Sequence, residues 1–230
     1  MVDLRQGDCL EIMKQIPDNS IDMIFTDPPY LMTSRGGTSN TGGMLLDDKV
    51  RTGKVFEHND LDIEDWLPDF YRILKDNSHC YIMTNNKNIS HYLDVINKSK
   101  FHFTKCLIWV KDNKIVGNSY MSQYEYIIMI RKGKFRKLNN NGYSDVLQIP
   151  NKKQKDKHGK NLHNTEKPTE ITDILIECSS NEGEIICDPF MGIGGCGVSC
   201  KKLNRNFIGI ELDENYFNIA KKRIEEAVYE

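Results

Sequence analysis

The sequence predicts an α/β protein with a largely parallel sheet covered by helices on both faces. Short apolar runs alternate with stretches of helical period along nearly the whole chain, the arrangement that builds βαβ units. The run Ile21-Asp22-Met23-Ile24-Phe25 has the length and β-branched and aromatic content of a buried strand. The exception is a pair of runs near 101–131. Asp112-Asn113 and Gly117-Asn118 separate them, which predicts an antiparallel hairpin at the sheet edge. A length of 230 residues suits one domain, or one domain with an inserted lobe, and can bury a sizeable core.

In chain order, residues 2–8 read as a short strand ending at Gly7-Asp8. Cys9–Ile16 has helical spacing and stops at the turn cluster Pro17-Asp18-Asn19-Ser20. Residues 21–26 are the strand that delivers Asp27. Residues 31–60 hold Gly36-Gly37, Gly42-Gly43 and Gly53 with few apolar side chains, and are expected to form a long mobile loop of the kind that is usually functional. Leu61–Leu74 is an amphipathic helix carrying Pro68. His79–Thr84 is a strand, Ile89–Ile96 a helix, and Phe101–Val110 and Gln123–Arg131 are the hairpin strands. Residues 132–162 are polar, basic and rich in Asn and Gly, with one small strand candidate at Val146–Ile149. Lys167-Pro168-Thr169 opens a helix to about Ser179, proline being well suited to a first turn. Glu184–Asp188 is a strand, Gly195–Leu203 a helix and Asn206–Glu211 a strand. Asp213–Val228 is a capped last helix.

Seven cysteines, odd in number and without a Cys-x-x-Cys pair, read as small core residues of a reduced, cytoplasmic protein. The start of the chain does not resemble a signal peptide, and no apolar run is long enough for a membrane span. The six histidines do not fall at zinc-ligand spacing around the cysteines. The net charge of −2 hides an uneven distribution. Residues 1–30 carry six acids against Arg5 and Lys14, whereas Arg131 to Lys167 carries eleven Lys/Arg against Asp145, Asp156 and Glu166. That asymmetry points to a nucleic-acid surface on the second segment, or to a plain solvated charge run.

Two stretches carry chemistry. The first, Asp27-Pro28-Pro29-Tyr30, sits where a strand gives way to a loop, the position at which open α/β sheets bind ligands. Asp27 is a carboxylate acceptor. Pro28 and Pro29 remove two N–H donors, so the backbone here offers only carbonyls. Tyr30 is a flat ring suited to stacking on a base. Together they make a clamp for a planar group bearing an NH2; the plainer alternative is a Pro-Pro turn.

The second stretch runs from strand Glu184–Asp188 through Pro189-Phe190-Met191 into the turn Gly192-Ile193-Gly194-Gly195-Cys196-Gly197, and Glu211 ends the next strand. Glycines that let a cofactor approach the backbone, followed by a carboxylate for ribose hydroxyls, form a nucleotide-cofactor pattern. Gly192-x-Gly194-x-x-Gly197 also fits a dinucleotide fingerprint, so an NAD-dependent oxidoreductase stays open. Two features count against it. The unit comes too late in the chain for a two-halved nucleotide sheet. Asp188-Pro189-Phe190 also offers a docking place for an amino-acid moiety, which S-adenosylmethionine has and NAD lacks.

With both stretches in this order, nearly the whole chain resembles the β-group S-adenosylmethionine-dependent DNA amino-methyltransferases, of the adenine-N6 type. Gly7-Asp8-Cys9 with Pro17-Asp18-Asn19-Ser20-Ile21-Asp22 resembles the family's opening, and Ser122-Gln123-Tyr124-Glu125 its later strand motif. His163-Asn164-Thr165-Glu166-Lys167-Pro168 resembles the segment before its cofactor strand. Ile208-Gly209-Ile210-Glu211-Leu212-Asp213, with Tyr216, Ala220 and Arg223, resembles its ribose-binding strand and closing helix. The chain departs from the family at the glycine turn, where Ile193, Gly195 and Cys196 replace small hydroxyl residues that cap a helix start.

The resemblance implies a single Rossmann-like domain with a mostly parallel seven-stranded sheet, an antiparallel edge hairpin and a small inserted DNA-recognition segment. Residues 1–131 would form the catalytic half, 132–162 the target-recognition insertion and 163–230 the cofactor half. The glycine turn comes last, as though the chain had been cut and rejoined, so strand 2–8 should lie beside strand 206–211 and bring Asp8 to the cofactor.

The resemblance also implies roles. Asp27 and the carbonyl of Pro28 accept the two N6–H bonds of a flipped-out adenine in double-stranded DNA, with Pro29 and Tyr30 completing the clamp. Glu211 takes the ribose and Asp8 the adenine amino group of S-adenosylmethionine. Asp188, Phe190, Gly192 and Gly194 line the methionine part, and Asn164, Thr165 and Lys167 close the other side. Cys9, Asp27, Gly195 and Leu212 complete the cofactor set. DNA contacts are assigned to Lys134, Arg136, Lys137, Lys152, Lys153, Lys155 and Lys157 on phosphates, and to Asn139, Asn140 and Gln148 on base edges. A homodimer and a cognate restriction endonuclease are left open as partners. The rivals are cytosine-N4 methylation by the same clamp, the NAD oxidoreductase, and a catalytically silent DNA-binding module.

Overall fold

The computed structural model describes residues 1–29, 61–115, 120–152 and 166–228. The expected loop 31–60, together with Tyr30, Lys153, Lys155, Lys157, Asn164 and Thr165, lies outside the described residues.

The described elements are β1 (Val2–Gln6), α1 (Cys9–Met13), β2 (Ile21–Thr26), α2 (Ile63–Ile73), β3 (Leu74–Thr84), α3 (Ile89–Lys98), β4 (His102–Ile115), β5 (Ser122–Lys132), β6 (Val146–Gln148), α4 (Thr169–Ser179), β7 (Ile185–Asp188), α5 (Gly195–Lys202), β8 (Asn206–Glu211) and α6 (Glu214–Glu226). They build one eight-stranded sheet in the order β1-β8-β7-β2-β3-β5-β4-β6. The five strands from β1 to β3 are mutually parallel. β5 is antiparallel to both β3 and β4.

Three expectations need correcting. The sheet has eight strands rather than seven, because Val146–Gln148 adds to β4 in parallel, so β6 and not the hairpin forms that edge. β3 begins directly after α2 at Leu74, five residues before the expected start, and β4 continues past Val110 through Lys111, Asp112 and Asn113 to Ile115. Pro168 is the N-cap of α4 and not a first-turn residue. The predicted neighbourhood of the two ends holds: Val2–Gln6 pairs residue by residue with Phe207–Glu211.

β2 explains the layering. All six of its residues are buried. Ile24 joins a core with Ile12, Trp66, Phe70 and Ile82, under α1, α2 and α3. Met23 and Phe25 join a second core with Trp109, Ile171, Phe207 and Ile224, under α4, α5 and α6. α2 runs through Pro68 because its ends are well held. Asp62 and Asp65 form a reciprocal capping box, and Trp66, Leu67 and Phe70 anchor its buried face.

Candidate active site

The parallel strands all run toward one edge, and each expected carboxylate sits there. β2 ends at Thr26 with Asp27 next, β7 ends at Asp188, β8 ends at Glu211, and β1 leads through Gly7 to Asp8. Pairing of β2 with β7 and of β7 with β8 puts Asp27, Asp188 and Glu211 on neighbouring strand ends. The chain order of the two motifs is thereby turned into adjacency.

Asp188 is buried, and its Oδ1 accepts from the Thr26 hydroxyl and from the Phe190 N–H, both at 3.2 Å. Burial pushes its carboxyl up to about 8, against the lowering effect of those two donors. Glu211 is pinned by two backbone N–H groups, Gly192 to Oε2 and Asp213 to Oε1, each at 2.9 Å. Burial likewise raises its pKa. Phe190 packs edge-to-face on Trp66, with ring centroids 6.1 Å apart.

The glycines divide into two kinds. Gly192 has φ +53°, and a Cβ placed there would meet nothing within 4 Å. Gly194, at φ +77°, is the α5 N-cap; a Cβ on it would come within 2.9 Å of the Ala220 Cβ on α6. Gly194 therefore serves helix packing, while Gly192 leaves a cradle beside the Glu211 carboxylate. As the residue replacements suggest, no side chain caps α5. Arg223 of α6 secures the turn, donating to the Ile193 carbonyl and to the Glu166 carboxylate, both at 2.7 Å.

Asp8 caps α1, its Oδ1 accepting from Leu10 N–H at 2.8 Å. Cys9 is buried below it, and burial pushes its thiol up to about 12. Leu212 is exposed at the rim after Glu211, and Gly195 opens α5.

Lys167 lies by the glycine turn through its backbone, its carbonyl 3.9 Å from a Cβ placed on Gly195, while its side chain reaches Asp27. Its Nζ lies 2.5 Å from Asp27 Oδ2 and 3.5 Å from Glu125 Oε2. Burial alone would lower its pKa, but Asp27 and Glu125 outweigh burial and raise it to about 12. Glu125 in turn pairs with Lys111. Sequence reasoning gave no role to Glu125, Lys111 or Thr26. The available signals were an acid inside the apolar run of β5 and a hydroxyl directly before Asp27.

The expected DNA-contacting residues separate. Ser78 pairs with Lys132 and Thr84 with Tyr126. The turn after β5 therefore lies about 20 Å along the strand from the carboxylate edge, at roughly 3.3 Å per residue. Lys134, Arg136, Lys137, Asn139 and Asn140 all belong to that far end. Arg136 pairs with Glu184, which precedes β7. Asn139 caps α4, its N–H donating to the Cys178 carbonyl at 2.8 Å and its side-chain NH2 to the Ser180 carbonyl at 2.7 Å. Asn140 accepts from Gly142 N–H at 3.0 Å. In this structure Asn139 and Asn140 hold a helix end and a turn. Gln148, paired beside Val110, and Lys152 return to the carboxylate end, and both are exposed.

Known proteins agree with this architecture. A family model described as DNA methylase matches residues 21–222. The Type II methyltransferase M.HinfI of Haemophilus influenzae is 32% identical over 243 residues, covering 96% of this chain and 67% of that protein. M2.DpnII of Streptococcus pneumoniae is 31% identical over 239 residues, covering 96% and 89%. The crystal structure of an M1.HpyAVI–SAM complex superposes with a TM-score of 0.71 at 26% identity, over 97% of this chain and 99% of that one. The cytosine-N4-specific PvuII DNA methyltransferase shares the fold with a TM-score of 0.73 at 16% identity, over 96% and 86%. With the matching family model spanning most of its length and relatives above 30% identity, this chain belongs to the DNA methylase family of N6/N4 amino-methyltransferases.

Proposed function

We propose that this chain transfers a methyl group from S-adenosylmethionine to the N6 amino group of an adenine flipped out of duplex DNA. The observation that carries the reading is the placement of Asp27, followed by two prolines, on the strand next to buried Asp188. An acceptor for an amino group and a site for an amino-acid moiety then share one rim.

The residues present suit the cofactor. Gly192 leaves space that a side chain would fill, Glu211 is oriented by two N–H groups toward that turn, and Asp188 supplies a buried carboxyl. Glu211 would take the ribose hydroxyls and Asp188 with Phe190 the methionine moiety. Asp8 would take the purine amino group, with Leu212 beside it. S-adenosylmethionine, when bound, supplies an electrophilic methyl group. The protein's own work is on the nucleophile. The N6 lone pair is delocalised into the ring, and acceptance of its two N–H bonds by Asp27 and the Pro28 carbonyl draws the nitrogen toward tetrahedral geometry. Asp27 also stabilises charge as it develops there, and holding the partners in line supplies the larger part of the acceleration. A base inside a duplex cannot reach such a clamp, so it must be extruded, with Tyr30 as its stacking ring.

The relatives are Type II methyltransferases by name, which supports a modification role beside a restriction endonuclease of the same site. Mass spectrometry of DNA from a host expressing the chain tests the reading. N6-methyladenine is expected, and N4-methylcytosine in its place would transfer the clamp to cytosine. Asp27→Ala is expected to remove at least about 100-fold of turnover, on the scale of a lost transition-state acceptor; near-normal turnover would overturn the assignment.

A further inference from the structure

Four charged side chains from four parts of the fold stand in a row that alternates in sign. Lys111 on β4 pairs with Glu125 on β5. The other Glu125 oxygen is 3.5 Å from Lys167, which precedes α4, and Lys167 is 2.5 Å from Asp27 after β2. All four are largely withdrawn from water, with side-chain exposures of 5% for Lys111, 17% for Glu125, 12% for Lys167 and 21% for Asp27. Lys111 is further fixed at both its tip and its root. Its Nζ lies 4.9 Å from the centre of the Trp109 ring, and its carbonyl accepts from the Gln123 side chain at 2.9 Å.

Such a row is not what stability alone selects. Buried ion pairs can commonly be replaced by apolar residues at no loss. This one ends on the residue that the proposed function places against the target amino group.

We propose that Lys111 and Glu125 are positioning residues for the target-base clamp, holding Lys167 so that it fixes the Asp27 carboxylate in place. The inference rests on the reading of Asp27 as that clamp. Lys111 shares the Glu125 charge and so limits how strongly Glu125 draws Lys167 away from Asp27. Glu125 keeps Lys167 charged in a buried position. Among the described residues, the titratable groups facing Lys167 are Asp27 and Glu125, with Lys111 behind Glu125, and with Asp188 from β7 and Tyr92 from α3 facing Asp27. The electrostatics agree with the geometry. Burial opposes ionisation of Glu125, but Lys167 and Lys111 together hold its pKa below the ordinary value.

The test is methyl transfer by the full chain to duplex DNA, with kcat, KM and the pH profile measured beside the melting temperature and the Kd for S-adenosylmethionine. Lys111→Met is expected to lower kcat about 10- to 100-fold, the scale of a misplaced catalytic group. KM and the cofactor Kd should stay near wild type, the melting temperature should fall because Glu125 loses a buried partner, and Lys111→Arg should recover most of both losses. Glu125→Gln is expected to show the same loss and to bring in an alkaline limb absent from the wild type, because Lys167 then keeps its burial but loses a counter-charge. If Lys111→Met does not fold, Lys111→Met/Glu125→Gln, which removes both charges, decides by its kcat. Wild-type kcat in these variants, or a loss confined to KM, would overturn the proposal. An active Asp27→Ala variant would sink the clamp itself, whereas an inactive one beside a fully active Lys111→Met would sink only the positioning row.

Discussion

Asp188 shows how one residue couples burial, ionisation and ligand capture. Its carboxyl is pushed up to about 8, chiefly by burial, with the charges of Asp27 and Glu211 adding to the effect. The unfolded chain would titrate it near the ordinary value of about 3.9. The folded state therefore holds a proton that the unfolded state has lost across this interval. That contribution to stability is fully present below about pH 4 and disappears as pH rises through 8. Asp188→Asn keeps an oxygen for Thr26 and Phe190 and never ionises. At pH 9 it is expected to melt above wild type, by about 2–4 °C for each kcal/mol recovered in a domain of this size. Below about pH 4 the two should coincide in a melting series. Cofactor binding should respond the other way. If the ammonium of S-adenosylmethionine docks on Asp188, affinity should rise up to about tenfold per pH unit between roughly 5.5 and 7, below the ordinary α-amino pKa. Calorimetry checks this, and a flat response in the wild type would remove Asp188 from the ammonium's site.

At the scale of elements, the glycine turn was legible as a motif, but the separate tasks of its glycines were not. Gly192-x-Gly194-x-x-Gly197 reads as a cofactor turn, yet in three dimensions only Gly192 faces open space. A Cβ at Gly197 would stand 2.4 Å from Ile224 Cδ1 and 2.7 Å from Phe207 Cε1. Gly197→Ala is therefore expected to cost about 1–3 kcal/mol by overpacking between α5, α6 and β8, with cofactor affinity per folded molecule unchanged. Gly192→Ala meets no neighbour, and its left-handed backbone costs on the order of 1 kcal/mol. It should nevertheless weaken S-adenosylmethionine more than about tenfold by filling the cradle, since each 1.4 kcal/mol of lost contact is a factor of ten. Thermal melts read beside binding isotherms separate the two variants; equal affinity losses would contradict the division. The same limit on legibility appears elsewhere. Apolar runs marked where strands exist, but not where they end, because Lys75-Asp76-Asn77 and Lys111-Asp112-Asn113 extend β3 and β4 with polar residues. The row of charges was invisible because its members pair across up to 140 residues of chain. A lone acid in a strand does not announce which base will meet it.

For the whole molecule, what matters is that the sheet has two ends. The circular order of motifs is resolved by the pairing of β1 with β8, and that pairing places every candidate site carboxylate among the described residues on one rim. The basic stretch after β5, by contrast, is split by the strand that follows it. Lys134 and Lys137 are exposed at the far end, beside the Asn139 cap, while β6 carries the chain back so that Gln148 and Lys152 sit at the site end. The separation of about 20 Å, from roughly 3.3 Å per strand residue, exceeds the physiological Debye length of about 8 Å. Duplex DNA that presents a base to Asp27 should then feel the two groups unequally. Lys134→Gln/Lys137→Gln is expected to leave the slope of log K against log salt unchanged. Lys152→Gln, at the site end, should reduce that slope by roughly 0.9, the share of one phosphate contact. Titrations of a duplex carrying the methylation site, repeated across salt concentrations, give both slopes. A drop on mutating Lys134 and Lys137 would mean that DNA wraps past the sheet to its far end, and the rim could no longer be taken as the whole DNA-facing surface.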